Sequence, residues 1–270
     1  GGTLSNKLSG TVTVNATKIW KAAAFQSALE DVRVELTLQA RPVGSEDPWE
    51  DTEITETLGT EETGKFTAEN LGGLSVSASA PKYDNQGREL EYRWVESAVY
   101  QGENETNLLD NNSFTLSGGG SRGDAKYRVT DVENGNTTEI TNAVSNQIDY
   151  TVEKKWKSGA QEGPVTFALY RTIGEQSLTE TCKVLTFTMD AGGTVNVDFT
   201  KENAFIDAID GEISIQFSEA WKALLQNLPE YDEEGRRYEY LILEENGNPT
   251  YETSIDSSTG DYTTIVTNGP

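Results

Sequence analysis

The sequence predicts an all-β chain built as two copies of one sandwich or barrel domain, with short helical insertions. Three observations predict it. Short runs of alternating apolar and polar residues recur between Gly-, Asn- and Asp-rich turns, as sandwiches and barrels require. Several distinctive segments occur twice in the same order. The chain has 270 residues, enough for two ordinary domains.

Taken in order, strands are expected at "GTVTVNATKIW" (10–20), "VRVELTLQA" (32–40), "LSVSASA" (74–80) and "LEYRWVE" (90–96). The second half offers "YTVEKKW" (150–156), "VTFALYR" (165–171), "LTFTMD" (185–190), "TVNVDF" (194–199), "ISIQF" (213–217) and "YEYLILEE" (238–245). Two stretches read as helical turns, "AAAFQSALEDV" (22–32) and "SEAWKALLQNL" (218–228); in the second, Trp221, Leu224, Leu225 and Leu228 fall at helical spacing.

The internal repeat sets the domain boundary. "APKYDNQGRELEYRWVE" and "LPEYDEEGRRYEYLILE" align without a gap, Pro81 with Pro229, at an offset of 229 − 81 = 148. A Lys-x-Trp stretch occurs at Lys18 and again at Lys154, and "NTTEITN" ending at Asn142 returns as "YTTIVTN" ending at Asn268. The order Lys, Glu, Asn is kept while loop lengths change. The expected domains are therefore 1–144, with enlarged loops, and 145–270.

Composition narrows the function. The formal net charge is −24, with a pI near 4.3, so phosphate backbones and anionic lipid are repelled and no nucleic-acid partner is expected. There is no histidine, which removes the commonest general base and zinc ligand. No metal or cofactor is expected. The single cysteine, Cys182 in "TCKVLTF", cannot form an internal disulfide and reads as a buried thiol. No apolar run approaches the roughly 20 residues that span a bilayer, so no membrane insertion is expected. No signal peptide is visible, and the two ends read as those of a piece of something longer. Asn6 precedes Lys18 by 12 residues, as Asn142 precedes Lys154, which suits the tail of a preceding repeat.

Strand alternation places Lys18 on one face with Trp20, and Lys154 with Trp156. Each ammonium is thus aimed at the core. Parity also puts Glu96 with Trp94 and Tyr92, Glu244 with Ile242 and Tyr240, Asn142 with Ile140 and Val144, and Asn268 with Val266. Asn146 has the same parity as Asn142 and is the alternative to it; Lys155 is the alternative to Lys154, but its parity faces solvent. A buried Lys–Glu pair alone could be only an ion pair. A Lys/Glu/Asn triple in duplicate offers chemistry. Burial lowers a lysine pKa and raises a glutamate pKa, so the pair can become neutral amine and neutral acid. The amine can then attack the Asn side-chain carbonyl carbon while the acid handles the proton.

The Lys-x-Trp start, the "LPEYDEEGRRYEYLILE" segment and the "TTIVTN" end resemble the B-type repeat of collagen adhesins of Gram-positive bacteria, the CnaB domain. The resemblance covers both halves and is strongest over 228–244. It implies immunoglobulin-like sandwiches, each closed by a self-formed isopeptide bond, Lys18 to Asn142 and Lys154 to Asn268, promoted by Glu96 and Glu244. It implies a non-enzymatic stalk or adhesin segment, extracellular and anchored to the cell wall through other parts, whose partners are neighbouring domains and a host matrix protein or receptor.

Other features are weaker. Arg122-Gly123-Asp124 follows three glycines in the first copy's long insertion and could present a guanidinium and a carboxylate to an integrin, the enlarged first domain then being a ligand-binding module. A chance tripeptide is the plainer reading. The acidic turns "YDEEG" and "DVENGN" lack EF-hand spacing. Trp49 in "EDPWED" is either a loop anchor or an exposed aromatic for ligand contact, the anchor being the plainer reading. A glycosidase would need a recognisable carboxylate pair, which is missing, and would leave the Lys and Asn repeats unexplained.

Overall fold

The computed structural model describes residues 8–120, 123–157, 163–192, 196–199 and 213–269. The chain divides into two compact units, and the division falls between Val144 and Ser145. Each unit is a β-sandwich.

In the first unit the strands are β1 (Thr11–Lys21), β2 (Val32–Pro42), β3 (Glu50–Leu58), β4 (Leu74–Pro81), β5 (Leu90–Gln101), β6 (Ser113–Gly120), β7 (Gly123–Asn134) and β8 (Thr137–Val144). One sheet has the order β4-β1-β8-β7-β6 and the other β3-β2-β5. In the second unit they are β9 (Gln147–Trp156), β10 (Val165–Ile173), β11 (Lys183–Met189), β12 (Asn196–Phe199), β13 (Ser214–Glu219), β14 (Lys222–Pro229), β15 (Tyr238–Glu244), β16 (Thr250–Ile255) and β17 (Tyr262–Asn268). These form sheets β13-β14-β9-β17-β16 and β12-β11-β10-β15.

In both units the first strand pairs in parallel with the last. Lys18 stands opposite Ile140 and Trp20 opposite Asn142; Lys154 stands opposite Val266 and Trp156 opposite Asn268. The two registers are the same. Alternation along β1 buries Val14, Ala16, Lys18 and Trp20, and along β9 it buries Ile148, Tyr150, Val152 and Lys154. Trp20 meets Phe66, Phe114 and Tyr127 edge to face, a geometry that suits the ring quadrupoles. In the second unit Trp156 meets Trp221 edge to face, and Phe167 stacks on Phe187. Cys182 is buried, as expected of a structural thiol; it closes a 3-10 turn, Glu180–Cys182, just ahead of β11.

The repeated "YD" segment explains itself in the structure. Asp84 Oδ1 accepts from the backbone N–H groups of Gln86 and Arg88, and Oδ2 accepts from Arg88 Nε. Asp232 does the same with Glu234 and Arg236. Gly87 and Gly235 take φ of 80° and 75° in these turns, a region that penalises a side chain. The Tyr92 hydroxyl then donates to the Pro81 carbonyl at 2.6 Å, and that of Tyr240 to Pro229 at 2.5 Å. This fixes where β5 and β15 start, and with it the inward parity of Glu96 and Glu244 four residues on.

One of the two helical readings holds. Residues Ala23–Leu29 form 3-10 turns that bury Phe25 and Leu29. The other is corrected: residues 218–228 form the turn and second strand of the β13–β14 hairpin, with Trp221 at φ 62°. A register shift between Leu225 and Leu228, with Asn227 at φ 63°, reverses the alternation. Ala223, Leu225 and Leu228 are all buried, so a bulged strand reproduces the three-residue step of a helix.

Candidate functional site: two buried Lys–Glu–Asn constellations

In the first unit Lys18 Nζ lies 3.0 Å from Glu96 Oε2, with both side chains fully buried. The direction of this contact falls outside hydrogen-bond geometry, so it is an ion contact. Lys18 Nζ also approaches the carbonyls of Ile140 and Ile19 at 3.4 and 3.5 Å. Asn142 Nδ2 donates to the other oxygen, Glu96 Oε1, at 2.9 Å. One carboxylate thus holds an amine on one oxygen and an amide on the other.

The second unit repeats the arrangement. Lys154 Nζ donates to Glu244 Oε2 at 2.8 Å, and Asn268 Nδ2 donates to Glu244 Oε1 at 2.9 Å. The Lys154 and Glu244 side chains are almost fully buried, whereas Asn268 is half-buried. The backbone of Gly247, at φ 131°, crosses close above: a β-carbon there would lie 2.8 Å from Glu244 Oε1 and 3.7 Å from Asn268 Nδ2.

Each amine sits over the indole two residues ahead, Lys18 Nζ at 5.0 Å from the Trp20 ring centre and Lys154 Nζ at 4.6 Å from that of Trp156. The same indole stands opposite the asparagine on the neighbouring strand. Desolvation by burial pushes the Lys18 amine down from 10.5 to about 8, although the charge of Glu96 pulls it the other way. Asn142 Oδ1 and Asn268 Oδ1 are buried and lack a hydrogen-bond partner among the described residues. An unmet buried acceptor costs about 1–3 kcal/mol, which raises the energy of both amides before any reaction.

Among the sequence candidates, Lys18, Glu96 and Asn142 come together, as do Lys154, Glu244 and Asn268. Asn146 lies beyond the end of β8, and its carbonyl accepts from the Glu230 amide. Lys155 is exposed and pairs with Glu153. Arg122 lies outside the described residues, as does Asn6; Gly123 and Asp124 open strand β7, with Asp124 exposed. The guanidiniums of Arg41 and Arg93 lie 4.4 and 4.6 Å from the Trp49 ring centre, contacts that suit an anchor. No group of three or more metal-ligating side chains gathers among the described residues, and no described helix is long and apolar enough to cross a membrane. The sequence reading missed Gly247, whose signal was only a glycine in the turn after Glu244.

The strands, register and acid of the second unit now stand beside a family comparison. Residues 188–269 match the Cna protein B-type domain. The B-type match takes in Glu244, Gly247 and Asn268, while Lys154 precedes it. The chain is also similar to a crystal structure of the pilus adhesin SpaC from Lactobacillus rhamnosus GG, at 16% identity and a TM-score of 0.32, over 97% of this chain but only 29% of that one. The major pilin of Streptococcus pyogenes gives 12% identity and a TM-score of 0.25 over 97% of this chain and 98% of that one. The shaft pilin SpaA from Lactobacillus rhamnosus GG gives 12% and 0.25 over 97% and 99%. No curated protein matches the chain significantly.

Proposed function

We propose that the chain is a structural segment of a Gram-positive surface adhesin or pilus protein, made of two B-type domains. Each is closed by a self-formed Lys–Asn isopeptide bond. The observation that carries this reading is the bridging carboxylate: Glu96 and Glu244 each touch a buried amine on one oxygen and an amide on the other, at 2.8–3.0 Å. An ion pair kept only for stability would be a poor use of the interior, because desolvation offsets most of its Coulomb gain.

The reaction balances within the triple. The lysine ammonium passes a proton to the glutamate, leaving neutral amine and neutral acid. The amine nitrogen attacks Cγ of the asparagine. The acid protonates the departing Nδ2 and, once a carboxylate, takes the surplus proton from the attacking nitrogen; the bond from Cγ to Nδ2 breaks, and ammonia leaves and carries that proton to solvent as ammonium. Folding provides the proximity, and buried contact geometry of this kind is worth several orders of magnitude in rate. The glutamate is restored, and each unit reacts once, so the chain turns over no external substrate.

The product joins the first strand of each sandwich to its last, enclosing more than 100 residues. By analogy with a disulfide of that loop length the gain is about 4–5 kcal/mol, with no oxidant needed and no sensitivity to reduction. This suits a cell-surface protein that bears load, whose partners are adjoining domains or subunits of the same assembly.

Intact-mass spectrometry tests the reading. The full chain should weigh about 34 Da less than its sequence, two ammonias, and Lys18→Ala or Lys154→Ala should each restore one of them. A mass equal to the sequence sum would end it.

A further inference from the structure

The acid-bearing strand is an edge strand in both units: β5 closes the sheet β3-β2-β5, and β15 closes β12-β11-β10-β15. Every second N–H on such an edge has no ladder partner. Buried, it must find another acceptor. In the first unit the outward N–H of Trp94, two residues before Glu96, donates to Thr138 Oγ1 at 3.0 Å. Thr138 is buried on β8, four residues before Asn142, where β8 packs against β5. In the second unit the N–H of Glu244 itself donates to the Tyr251 hydroxyl at 2.9 Å. On the lysine-bearing strand the Tyr150 hydroxyl is held at 2.5 Å by Thr264 Oγ1, four residues before Asn268. The Thr264 hydroxyl also meets that of Thr253 at 2.8 Å. Thr138 and Thr264 occupy the same place in the repeated "TT…TN" segment.

Each hydroxyl ties the backbone beside the acid to the opposing sheet, whose central strands carry the lysine and the asparagine. We propose that Thr138 in the first unit and Tyr251 in the second are positioning residues for cross-link formation, holding the edge strand so that one carboxylate spans amine and amide. The inference rests on the isopeptide reading above. It extends that reading to residues that touch neither reacting group. Without the hydroxyl the buried N–H is orphaned, and the edge strand moves to find water or another acceptor. A displacement of about 1 Å at a reacting centre can cost on the order of 100-fold in rate.

The test follows bond formation in time. The full chain is made by cell-free translation, and aliquots are quenched in acid and denaturant. Loss of ammonia is read by intact mass, and each bond is assigned by mapping the linked peptides. Thr138→Val, which keeps shape but removes the hydroxyl, should slow the Lys18–Asn142 bond at least about tenfold and leave the Lys154–Asn268 bond at its normal rate. Thr138→Ser should restore the first bond. Tyr251→Phe should show the reverse selectivity. The unaffected unit reports in each case that the chain is intact. A normal first-bond rate in Thr138→Val, a Thr138→Ser chain as slow as Thr138→Val, or a normal second-bond rate in Tyr251→Phe would overturn the inference while the cross-link itself stands. Absence of ammonia loss from the unsubstituted chain would overturn both.

Discussion

Asn142 stands directly across from Trp20 on a parallel neighbour strand, and Asn268 stands in the same relation to Trp156. The pairing places each amide one alternation step beyond the residue opposite the lysine, while the lysine amine lies over the indole. The third member, the glutamate, reaches them from the other sheet. Glu96→Gln and Glu244→Gln keep the volume and one of the two acceptor oxygens but cannot accept the lysine proton. Each should abolish one ammonia loss and leave the other complete. An unchanged mass deficit in either variant would remove the glutamate from the mechanism.

The pH dependence of the first bond distinguishes two ways of using Lys18. Its amine loses its proton near pH 8 because burial disfavours the charge. The reacting pair needs one proton shared between amine and acid, so the tautomer that reacts has the same proton count as the ion pair. The rate of first-bond formation should be level approaching pH 8 and fall about tenfold per unit above it. A rate that instead climbs tenfold per unit up to pH 8 would mean that the free amine suffices without the acid.

The same shift has a stability consequence in a chain that cannot cross-link. The folded Lys18 value lies below the ordinary lysine value of 10.5, so between about 8 and 10.5 the unfolded chain binds more protons than the folded one. Stability must therefore rise with pH through that window. Denaturant titrations of Asn142→Ala should show this rise relative to Asn142→Ala combined with Lys18→Met. A flat difference between the two would contradict the depressed value.

Gly247 is placed to control the second site alone. Alanine there would push a methyl to within 2.8 Å of Glu244 Oε1 and demand a positive φ that a side chain resists. Gly247→Ala should slow the Lys154–Asn268 bond by an order of magnitude or more while the first bond forms normally. Peptide mapping of the two linkages settles it, and equal rates for both would exclude any such control.

Calorimetry should rank the unlinked variants of the first unit. Asn142→Ala loses the cross-link, about 4–5 kcal/mol by the disulfide analogy. Lys18→Ala loses the cross-link and also strands the buried Glu96 carboxylate, a further cost of about 3–5 kcal/mol. Lys18→Ala should therefore melt lower than Asn142→Ala; equal midpoints would mean that the carboxylate finds relief elsewhere.

Much of this was legible in the residues. Alternation around Lys18 and Trp20 sufficed to place an ammonium in the core, and the gapless "YD…EY" repeat located both acids. The helix expected at 218–228 failed because a bulge at Asn227 gives a strand two parities, which periodicity alone cannot separate from a helical face. The hydroxyls of Thr138 and Tyr251 were hidden for another reason. Their role depends on β5 and β15 being edge strands, which is a fact of sheet order. The duplicated threonine in "NTTEITN" and "YTTIVTN" was the available hint, and its meaning required the register.

The parallel pairing of opening and closing strands has a mechanical corollary. With the bond in place, tension applied to the first unit enters β1 near Thr11, runs to Lys18, crosses to Asn142 and leaves β8 two residues later at Val144. Strands β2 to β7 lie off that load path and stay slack. Once the bond has formed, local melting or a longer loop between residues 22 and 136 would leave the distance spanned along this path unchanged, so loops away from Glu96 and the strand that carries it are free to vary in length without lengthening the first unit under load.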